Sequence, residues 1–409
     1  MTVPERLASL DAFRGFDILT MVFVNYIAGM TAIPFFLRHA AAEQDVFTLT
    51  DVVFPGFLFI VGVSIPLALT KRMRDGRPLP ALVGHVLSRT AALLALGVLL
   101  VNEERFSAAA SGLGRDLWYF LATLAVFALW AVVPKGAPAR KKRALAALKI
   151  GAAVLLLVLV ALFRGQGPDG ATTWLRTSWW GILGMIGWCY LAASLLFLAC
   201  RGDRTVLAGA IGAMTAIYIG SRHGALEFLG PVNGVLDVGS LFGSHAAVVT
   251  AGMLAGTLFL PGTEAAGPGR RIRSLAVLGA TLLLAGFLLR PLHGFSKIRG
   301  TESYTLATAG LCALAFLLFY IVLDVSKGKR AAAFLAPAGR NPLLAYLLPG
   351  FIANAAALLG GLLSFDLGRV LWPLAGTGGL PGMLNAAVMT GVVLLLTAVL
   401  TRAGLLLKL

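Results

Sequence analysis

The amino-acid sequence predicts an all-α fold, a polytopic transmembrane helix bundle of about twelve spans with both termini in the cytoplasm. Three observations lead to this class: the composition, a series of apolar runs, and the uneven placement of Lys and Arg. Of the 409 residues, 58% are hydrophobic and 13% are charged, and the mean hydropathy is +0.88. Because soluble domains carry about 25% charged residues, this composition excludes an ordinary soluble protein.

Apolar runs follow one another along the chain. They lie near residues 10–30, 52–70, 84–101, 116–133, 145–163, 179–200, 205–220, 241–260, 274–290, 303–323, 342–361 and 383–401. Most are close to the ~20 residues that a helix needs to cross about 30 Å of hydrocarbon. The first run carries Asp17 and Asn25 and precedes no small-residue cleavage site, so we interpret it as a retained helix and not as a signal peptide. We take residues 1–409 as a single transmembrane domain.

The basic residues are distributed unevenly between alternate connections. With a cytoplasmic N-terminus, roughly two-thirds of the 34 Lys and Arg residues fall on the inner side, as the positive-inside rule requires. The net charge of +16 is therefore a topology signal and a contact with anionic membrane lipid. We expect no nucleic-acid partner. One predicted outer connection, residues 290–303, breaks the rule because its net charge is positive.

Sequence motifs for a bound metal or nucleotide are lacking. Cys189, Cys200 and Cys312 all lie within apolar runs, and their spacing matches neither a metal cluster nor a disulfide framework. The sequence contains no Walker motif, no zinc-ligand spacing and no GxSxG elbow. We therefore expect a site without a metal.

The stretch from Ser9 to Ser64 is the most informative about function. At 100° per residue, Asp11, Arg14 and Asn25 fall on one narrow face of the first helix, together with Ile18 and Met21. A polar stripe along a membrane helix is costly where it faces lipid. We expect this stripe to face a protein interior or a water-filled path.

The same stretch resembles a known family. The motifs are DAFRG at 11–15, MVFVN at 21–25, a loop with the single His39, and T-x-x-D-x-V-F-P-x-F-x-F-I-x-G-x-S at 48–64. They are similar to those of the heparan-α-glucosaminide N-acetyltransferase family of transmembrane acyltransferases, in a bacterial-type form without the lumenal domain. Weaker fragments begin at Asp237, Phe295 and Gly339. Residues 103–163 match no part of the family pattern, and we interpret them as a peripheral helical-hairpin insertion.

The resemblance implies a reaction and a location. The enzyme would move an acetyl group from cytoplasmic acetyl-CoA, its co-substrate, to an amine on the extracytoplasmic side of a bacterial plasma membrane, with a hydroxyl as the alternative acceptor. The family implies an amino sugar as acceptor, either a small molecule or a glycan. Whether the acetyl group first rests on the protein is left open, as is the oligomeric state, for which a homodimer is one alternative.

Three residues are the catalytic candidates. His39 matches the catalytic His of the family, and an imidazole can remove the proton of an amine as the new N–C bond forms. Asn25 matches the functional Asn and could donate to the oxyanion of the attacked thioester, or could pack against a neighbouring helix. Asp51 could orient the His39 ring, or could be an ordinary acid in the first turn of a helix.

Five residues are candidates for binding CoA. They are Arg14, Lys297, Arg299, Arg340 and Asn341, of which the last four lie in the weaker family fragments. Arg suits bidentate contacts with phosphate. For Arg14, contact with lipid phosphate or pairing with Asp11 is the alternative. For the other four, contact with the acceptor substrate is the alternative.

A transporter or flippase for a sugar- or lipid-linked substrate is the rival to the acyltransferase hypothesis. Multiple spans with Pro-containing helices suit transport equally well, and a polar stripe inside the membrane is typical of transporters. Transfer of acetyl from acetyl-CoA by the purified protein distinguishes the two.

Overall fold

The computed structural model describes residues 7–133, 136–167, 169–179, 181–262, 267–328, 330, 332–363 and 378–408. Within these ranges the chain is almost entirely helical. The β-structure of the described part is limited to one short antiparallel pair, β1 (Gly165–Gln166) and β2 (Thr172–Thr173), and isolated bridges. The all-α prediction is confirmed for the described residues.

The α-helices begin and end as follows. They are α1 (Ala8–Ile27), α2 (Leu49–Arg74), α3 (Leu79–Asn102), α4 (Ala108–Ser111), α5 (Arg115–Trp130), α6 (Ala139–Leu162), α7 (Ile182–Cys200), α8 (Arg204–Arg222), α9 (Gly230–Asn233), α10 (His245–Thr257), α11 (Pro268–His293), α12 (Glu302–Tyr320), α13 (Ala336–Arg340), α14 (Pro342–Leu363) and α15 (Gly379–Arg402). Short 3₁₀ helices cover Phe35–Leu37, Glu103–Arg105 and Glu227–Leu229, and π-helical turns cover Gly239–Ser244 and Ile321–Val325. Each of the apolar runs predicted from the sequence coincides with one of these helices.

Eight helices of the described part are long and apolar enough to cross a membrane. They are Leu49–Arg74, Leu79–Arg105, Ala139–Leu162, Ile182–Cys200, Pro268–His293, Glu302–Val325, Pro342–Leu363 and Gly379–Arg402. The chain is therefore a multi-pass membrane protein. The count of about twelve spans is not confirmed, because four of the predicted runs are not among these eight. Helix α1 carries three charged residues, α5 and α10 have 16 and 13 residues, and α8 has an arginine at each end. The cytoplasmic position of both termini stays a prediction.

The chain forms two compact units. Unit 1 comprises Met1–Asp17, Phe35–Gly97 and Trp179–Ala333, and unit 2 comprises Ile18–Pro34, Val98–Ser178 and Phe334–Leu409. Unit 1 contains α2, most of α3 and α7 to α12, and unit 2 contains the end of α3, α4 to α6 and α13 to α15. Helix α1 contributes its first half to unit 1 and its second half to unit 2.

Glycines let two helices of unit 1 pack backbone against backbone. A Cβ atom at Gly62 of α2 would collide with the carbonyl oxygen of Val249 on α10, and one at Gly256 would lie 2.5 Å from the carbonyl oxygen of Val63. Small residues at such contacts allow the close approach that stabilises helix pairs in membranes. The pair α2–α10 therefore forms a tightly packed part of unit 1.

In unit 2, α5 and α6 form an antiparallel hairpin. The indole nitrogen of the buried Trp118 donates to the carbonyl oxygen of Leu159, 3.0 Å away. Helix α5 also packs on α14, where the rings of Phe120 and Phe351 stack at 4.9 Å. The interpretation of residues 103–163 as a peripheral insertion stays a prediction.

Candidate active site

Asp51 occupies the first turn of α2, and the local sequence explains its position. Thr48 is the N-cap, and Asp51 lies three residues later, as in a capping box. Oδ2 of Asp51 accepts from Thr48 N at 3.0 Å, from Thr48 Oγ1 at 3.1 Å and from Ala40 N at 3.2 Å. The side chain is fully buried. Oδ2 of Asp51 thus caps the N-terminus of α2 and also binds the backbone of the preceding loop at Ala40.

The other carboxylate oxygen of Asp51 faces His39. Oδ1 lies 2.7 Å from Nδ1 of His39, whose side chain is 46% exposed. The single proton of Thr48 Oγ1 is shared between Oδ2 of Asp51 and the carbonyl oxygen of Arg38, which is nearer at 2.6 Å, and this contact fixes the backbone next to the imidazole. Because a carboxylate only accepts hydrogen bonds, we assign the ring proton to Nδ1, which leaves the lone pair of Nε2 available as a base. Asp51 therefore fills both of the alternatives left open by the sequence, since it is a first-turn acid and also the partner of His39.

Lys297 lies against the same imidazole. Its Nζ atom is 3.0 Å from Nδ1 and 3.4 Å from Nε2 of His39, and 3.9 Å from Oδ1 of Asp51. Burial lowers the pKa of Lys297, and the carboxylate of Asp51 opposes that shift. The structure thus brings together three residues that are up to 258 positions apart in the sequence.

The loop that carries Lys297, residues 294–301, is fixed at both ends. The backbone nitrogen of Phe295 donates to Asp45 at 2.6 Å, and this hydrogen bond, together with Arg290 at 2.9 Å, lowers the pKa of Asp45. At the other end, Thr301 Oγ1 donates to the carbonyl oxygen of Gly294 at 2.8 Å. The side chain of Lys297 is therefore held by a short, anchored loop.

Tyr304 connects α12 to the first turn of α2, where Asp51 lies. It is fully buried on α12, and its hydroxyl donates to the backbone oxygen of Asp51 at 2.6 Å. Its ring packs on Phe47, whose own ring meets Phe295 edge-on at 5.0 Å. The anchoring role of Asp45 was not foreseen from the sequence, whereas Thr48 begins the T-x-x-D motif and Tyr304 lies in a fragment that resembles the family.

The predicted CoA ligands of unit 1 lie at two places. Arg14 is half-buried on α1; its Nη2 donates to Ser64 Oγ at 2.8 Å, and its Nη1 lies 3.7 Å from Asp11. The pairing with Asp11 foreseen as an alternative is thus present. Arg299 is exposed on the loop next to Lys297.

The remaining candidates belong to unit 2. Asn25 is exposed near the end of α1, and Arg340 is exposed at the end of α13. Asn341 is fully buried, and its Nδ2 donates to Thr401 Oγ1 at 3.0 Å and to the carbonyl oxygen of Leu405 at 2.8 Å. These contacts hold the end of the chain, and binding of CoA by Asn341 stays a prediction.

A second His–carboxylate pair flanks the loop that carries Lys297. Nδ1 of His293, the last residue of α11, lies 2.9 Å from Oε1 of Glu302, the first residue of α12. Glu302 is fully buried, and its Oε2 has no hydrogen-bond partner among the described residues. The rings of Tyr218 and His223 lie 5.9 and 5.6 Å from the His293 ring.

Comparisons with known proteins point in one direction. A family model described as "Domain of unknown function (DUF5009)" matches residues 6–226. The human protein named heparan-alpha-glucosaminide N-acetyltransferase is 38% identical over 102 residues, which are 25% of this chain and 15% of that protein. The mouse protein of the same name is 32% identical over 141 residues, 32% of this chain and 20% of that protein. The resemblance found in the sequence is confirmed, although the match spans only a fraction of either relative.

Proposed function

This chain belongs to the DUF5009 family, and from that membership and its similarity to the N-acetyltransferases we propose that it is a transmembrane acetyltransferase. It takes the acetyl group of cytoplasmic acetyl-CoA and transfers it to an amine on the extracytoplasmic side of a bacterial plasma membrane. An amino sugar is the proposed acceptor. The observation that carries the proposal is the His39–Asp51 pair, a half-exposed imidazole whose Nδ1 is held by a fully buried carboxylate.

His39 acts as the general base in this proposal. The acceptor amine gives up a proton to Nε2 as its nitrogen attacks the thioester carbon, and the imidazolium then returns a proton to the leaving CoA thiolate. Asp51 keeps the Nδ1 proton on the far side of the ring, so that Nε2 is the nitrogen that reacts. Proton transfer of this kind contributes roughly 10²–10⁴-fold to a rate.

The oxyanion and the donor need further groups. We propose that the exposed carboxamide of Asn25 donates to the oxyanion of the tetrahedral intermediate. Arg14, Arg299, Arg340 and Asn341 are the proposed contacts of the CoA phosphates and head group. The position of Lys297 at the imidazole favours a role at the acyl group over a role at the phosphates.

Sidedness is the decisive test. The protein is reconstituted in oriented vesicles, and release of the CoA thiol is followed with acetyl-CoA and glucosamine supplied on chosen sides. We expect turnover only with acetyl-CoA on the cytoplasmic face and the amine on the other face, and a rate roughly 10²–10⁴-fold lower with the His39→Ala variant. Turnover with both substrates on one face would contradict the transmembrane reaction, and absence of acetyl transfer in every arrangement would contradict the acetyltransferase.

One observation favours the rival class, a transporter or flippase. Asp17 is buried in α1, its Oδ1 would lie 2.5 Å from a Cβ at Gly56, and its Oδ2 has no hydrogen-bond partner among the described residues. Ionisable groups in this setting mark ion and substrate paths in transporters. Uptake of a labelled amino sugar into vesicles without acetyl-CoA, and its loss in Asp17→Asn, would support this function instead.

A further inference from the structure

The amine of Lys297 lies against the imidazole ring of the proposed base. General-base catalysis requires the reacting nitrogen within about 2.6–3.2 Å of the base, with looser distances common before substrate binds. Nζ of Lys297 lies 3.4 Å from Nε2, the basic nitrogen, and 3.0 Å from the protonated Nδ1 of His39. It is therefore just outside that range, and a small shift of the side chain brings it to Nε2. The protein thus holds one of its own amines against the base that the proposed reaction uses.

The environment of Lys297 also favours the reactive form of an amine. Its side chain is 28% exposed, and burial lowers its pKa although the Asp51 carboxylate opposes that shift. At a given pH, a larger fraction of Lys297 than of an unperturbed lysine is therefore the free amine, which is the nucleophilic form. By contrast, Lys71 on α2 and Lys141 and Lys142 on α6 are exposed.

We infer that Lys297 is an internal acyl acceptor, which receives the acetyl group when acetyl-CoA is bound and no external amine is present. This inference rests on the proposed function. The Nζ lone pair attacks the thioester carbon, the C–S bond breaks, and an amide N–C bond forms. Starting from the ammonium, Nζ loses two protons: one passes by way of His39 to the CoA thiolate, and the other leaves to solvent. No further reactant is needed.

Acetylation of Lys297 turns the enzyme off. An amide is a poor acyl donor, so the acetyl group does not pass on to a second amine. The modified side chain also loses its positive charge, and with it the attraction to Asp51 at 3.9 Å. The added acetyl group lies against the His39 ring, in the space that the external amine needs. An abundant acceptor therefore protects the enzyme, and a scarce acceptor allows it to switch itself off.

The test uses the purified full-length protein in detergent, where acetyl-CoA reaches every lysine. Acetyl-CoA is added without acceptor, and acetylation is followed at Lys297, Lys71, Lys141 and Lys142 by peptide mass spectrometry. We expect Lys297 to be modified first, in spite of its lower exposure. In His39→Ala the rate at Lys297 should fall by roughly 10²-fold or more, while the exposed lysines are unaffected.

Two further measurements complete the test. Transfer to glucosamine should decline with the time of pre-incubation in acetyl-CoA, and glucosamine added from the start should prevent the decline. In Lys297→Arg, which keeps the charge, the rate should not decline from its own initial value. Because each variant is compared with its own starting rate, a lower basal activity does not obscure the result.

The outcomes separate the inference from the function on which it rests. If glucosamine is acetylated while Lys297 stays unmodified, the inference is wrong and the proposed function stands. If Lys297 is modified no faster than the exposed lysines, or equally fast in His39→Ala, the modification is ordinary chemical acetylation and the inference is again wrong. If neither glucosamine nor Lys297 receives acetyl, the proposed function itself is wrong.

Discussion

Unit 1 holds two His–carboxylate pairs that look alike and are built differently. In both the His39–Asp51 and the His293–Glu302 pair, Nδ1 of the imidazole faces a fully buried carboxylate in the first turn of a helix. Asp51 accepts further hydrogen bonds on its second oxygen, whereas Oε2 of Glu302 has no partner among the described residues. The imidazole of His39 is 46% exposed and that of His293 is 20% exposed.

The difference shows what distinguishes a base from a structural pair. Backbone amides on Asp51 fix the carboxylate, so it can hold the imidazole in one tautomer and one orientation. Glu302 touches His293 through one oxygen and lacks this support within the described residues. We therefore propose that the His39–Asp51 pair is catalytic. The His293–Glu302 pair is structural and joins the two ends of the loop that carries Lys297.

The largest expected effect comes from deleting each imidazole. His39→Ala should reduce acetyl transfer by roughly 10²–10⁴-fold, because it removes the proposed base. His293→Ala should reduce acetyl transfer by less than about 10-fold, which is below the range for loss of a base. His223 is exposed, and His223→Ala serves as a further control with the same expected result. Initial rates of CoA release on purified variants of matched folding measure both. A dead His293→Ala beside an active His39→Ala would reverse the assignment.

Changing each carboxylate to its amide should have the next largest effect. In Asp51→Asn the amide oxygen must keep facing the backbone N–H groups, so the amide NH₂ faces His39 and forces the proton onto Nε2. Acetyl transfer should fall by roughly 10²–10³-fold, as the base is held in the wrong tautomer.

Glu302→Gln is the matched control for this change. In this variant the NH₂ group can take the position of Oε2, which has no hydrogen-bond partner among the described residues, while the amide oxygen keeps facing His293. The rate should therefore change by less than about 10-fold. Thermal unfolding should show both variants folded. Equal losses of rate in the two variants would remove the distinction between the pairs.

A comparison along α1 tests whether the acyl group reacts near Asn25. Asn25→Ala should lower kcat by roughly 10²–10³-fold, because an oxyanion donor is lost. Arg14→Ala should mainly raise KM for acetyl-CoA, because a binding contact is lost. The two residues are about 16 Å apart along the helix, so the effects should separate. A lower kcat with unchanged KM in Arg14→Ala would contradict the role in binding.

The smallest expected effect is a shift in pH dependence. Since burial lowers the pKa of Lys297, its free amine predominates from a lower pH than for an unperturbed lysine. Self-acetylation at Lys297 should therefore rise with pH and level off earlier than acetylation at the exposed Lys71. Initial rates at the two sites, taken from one digest at each pH, give the comparison. Identical pH profiles would contradict the effect of burial.

Much of the helical architecture could be predicted because apolar runs report directly on burial in lipid. The span count stays a prediction, because four of the twelve apolar runs are not among the eight candidate spans. One of them, α1, carries Asp11, Arg14 and Asp17. The His39–Asp51 contact was foreseen as one alternative, because both residues lie within one short stretch of the chain. The contact of Lys297 with His39 joins residues 258 positions apart. The sequence had singled out Lys297 through the family fragment that begins at Phe295 and through the positive charge of its outer connection, but neither sign indicated the partner.

The capping contacts of Asp51 have a consequence for the order in which the protein is made. A nascent chain that ends before residue 290 already contains His39, Thr48 and Asp51, and every group that holds Oδ2 of Asp51 is among residues 40–48. The Asp51 carboxylate can thus be positioned next to His39 as soon as α2 has entered the membrane. Lys297 and Tyr304 arrive only with the last third of the chain. During translation, the base His39 is therefore made before Lys297, the amine whose acetylation is proposed to inactivate the enzyme.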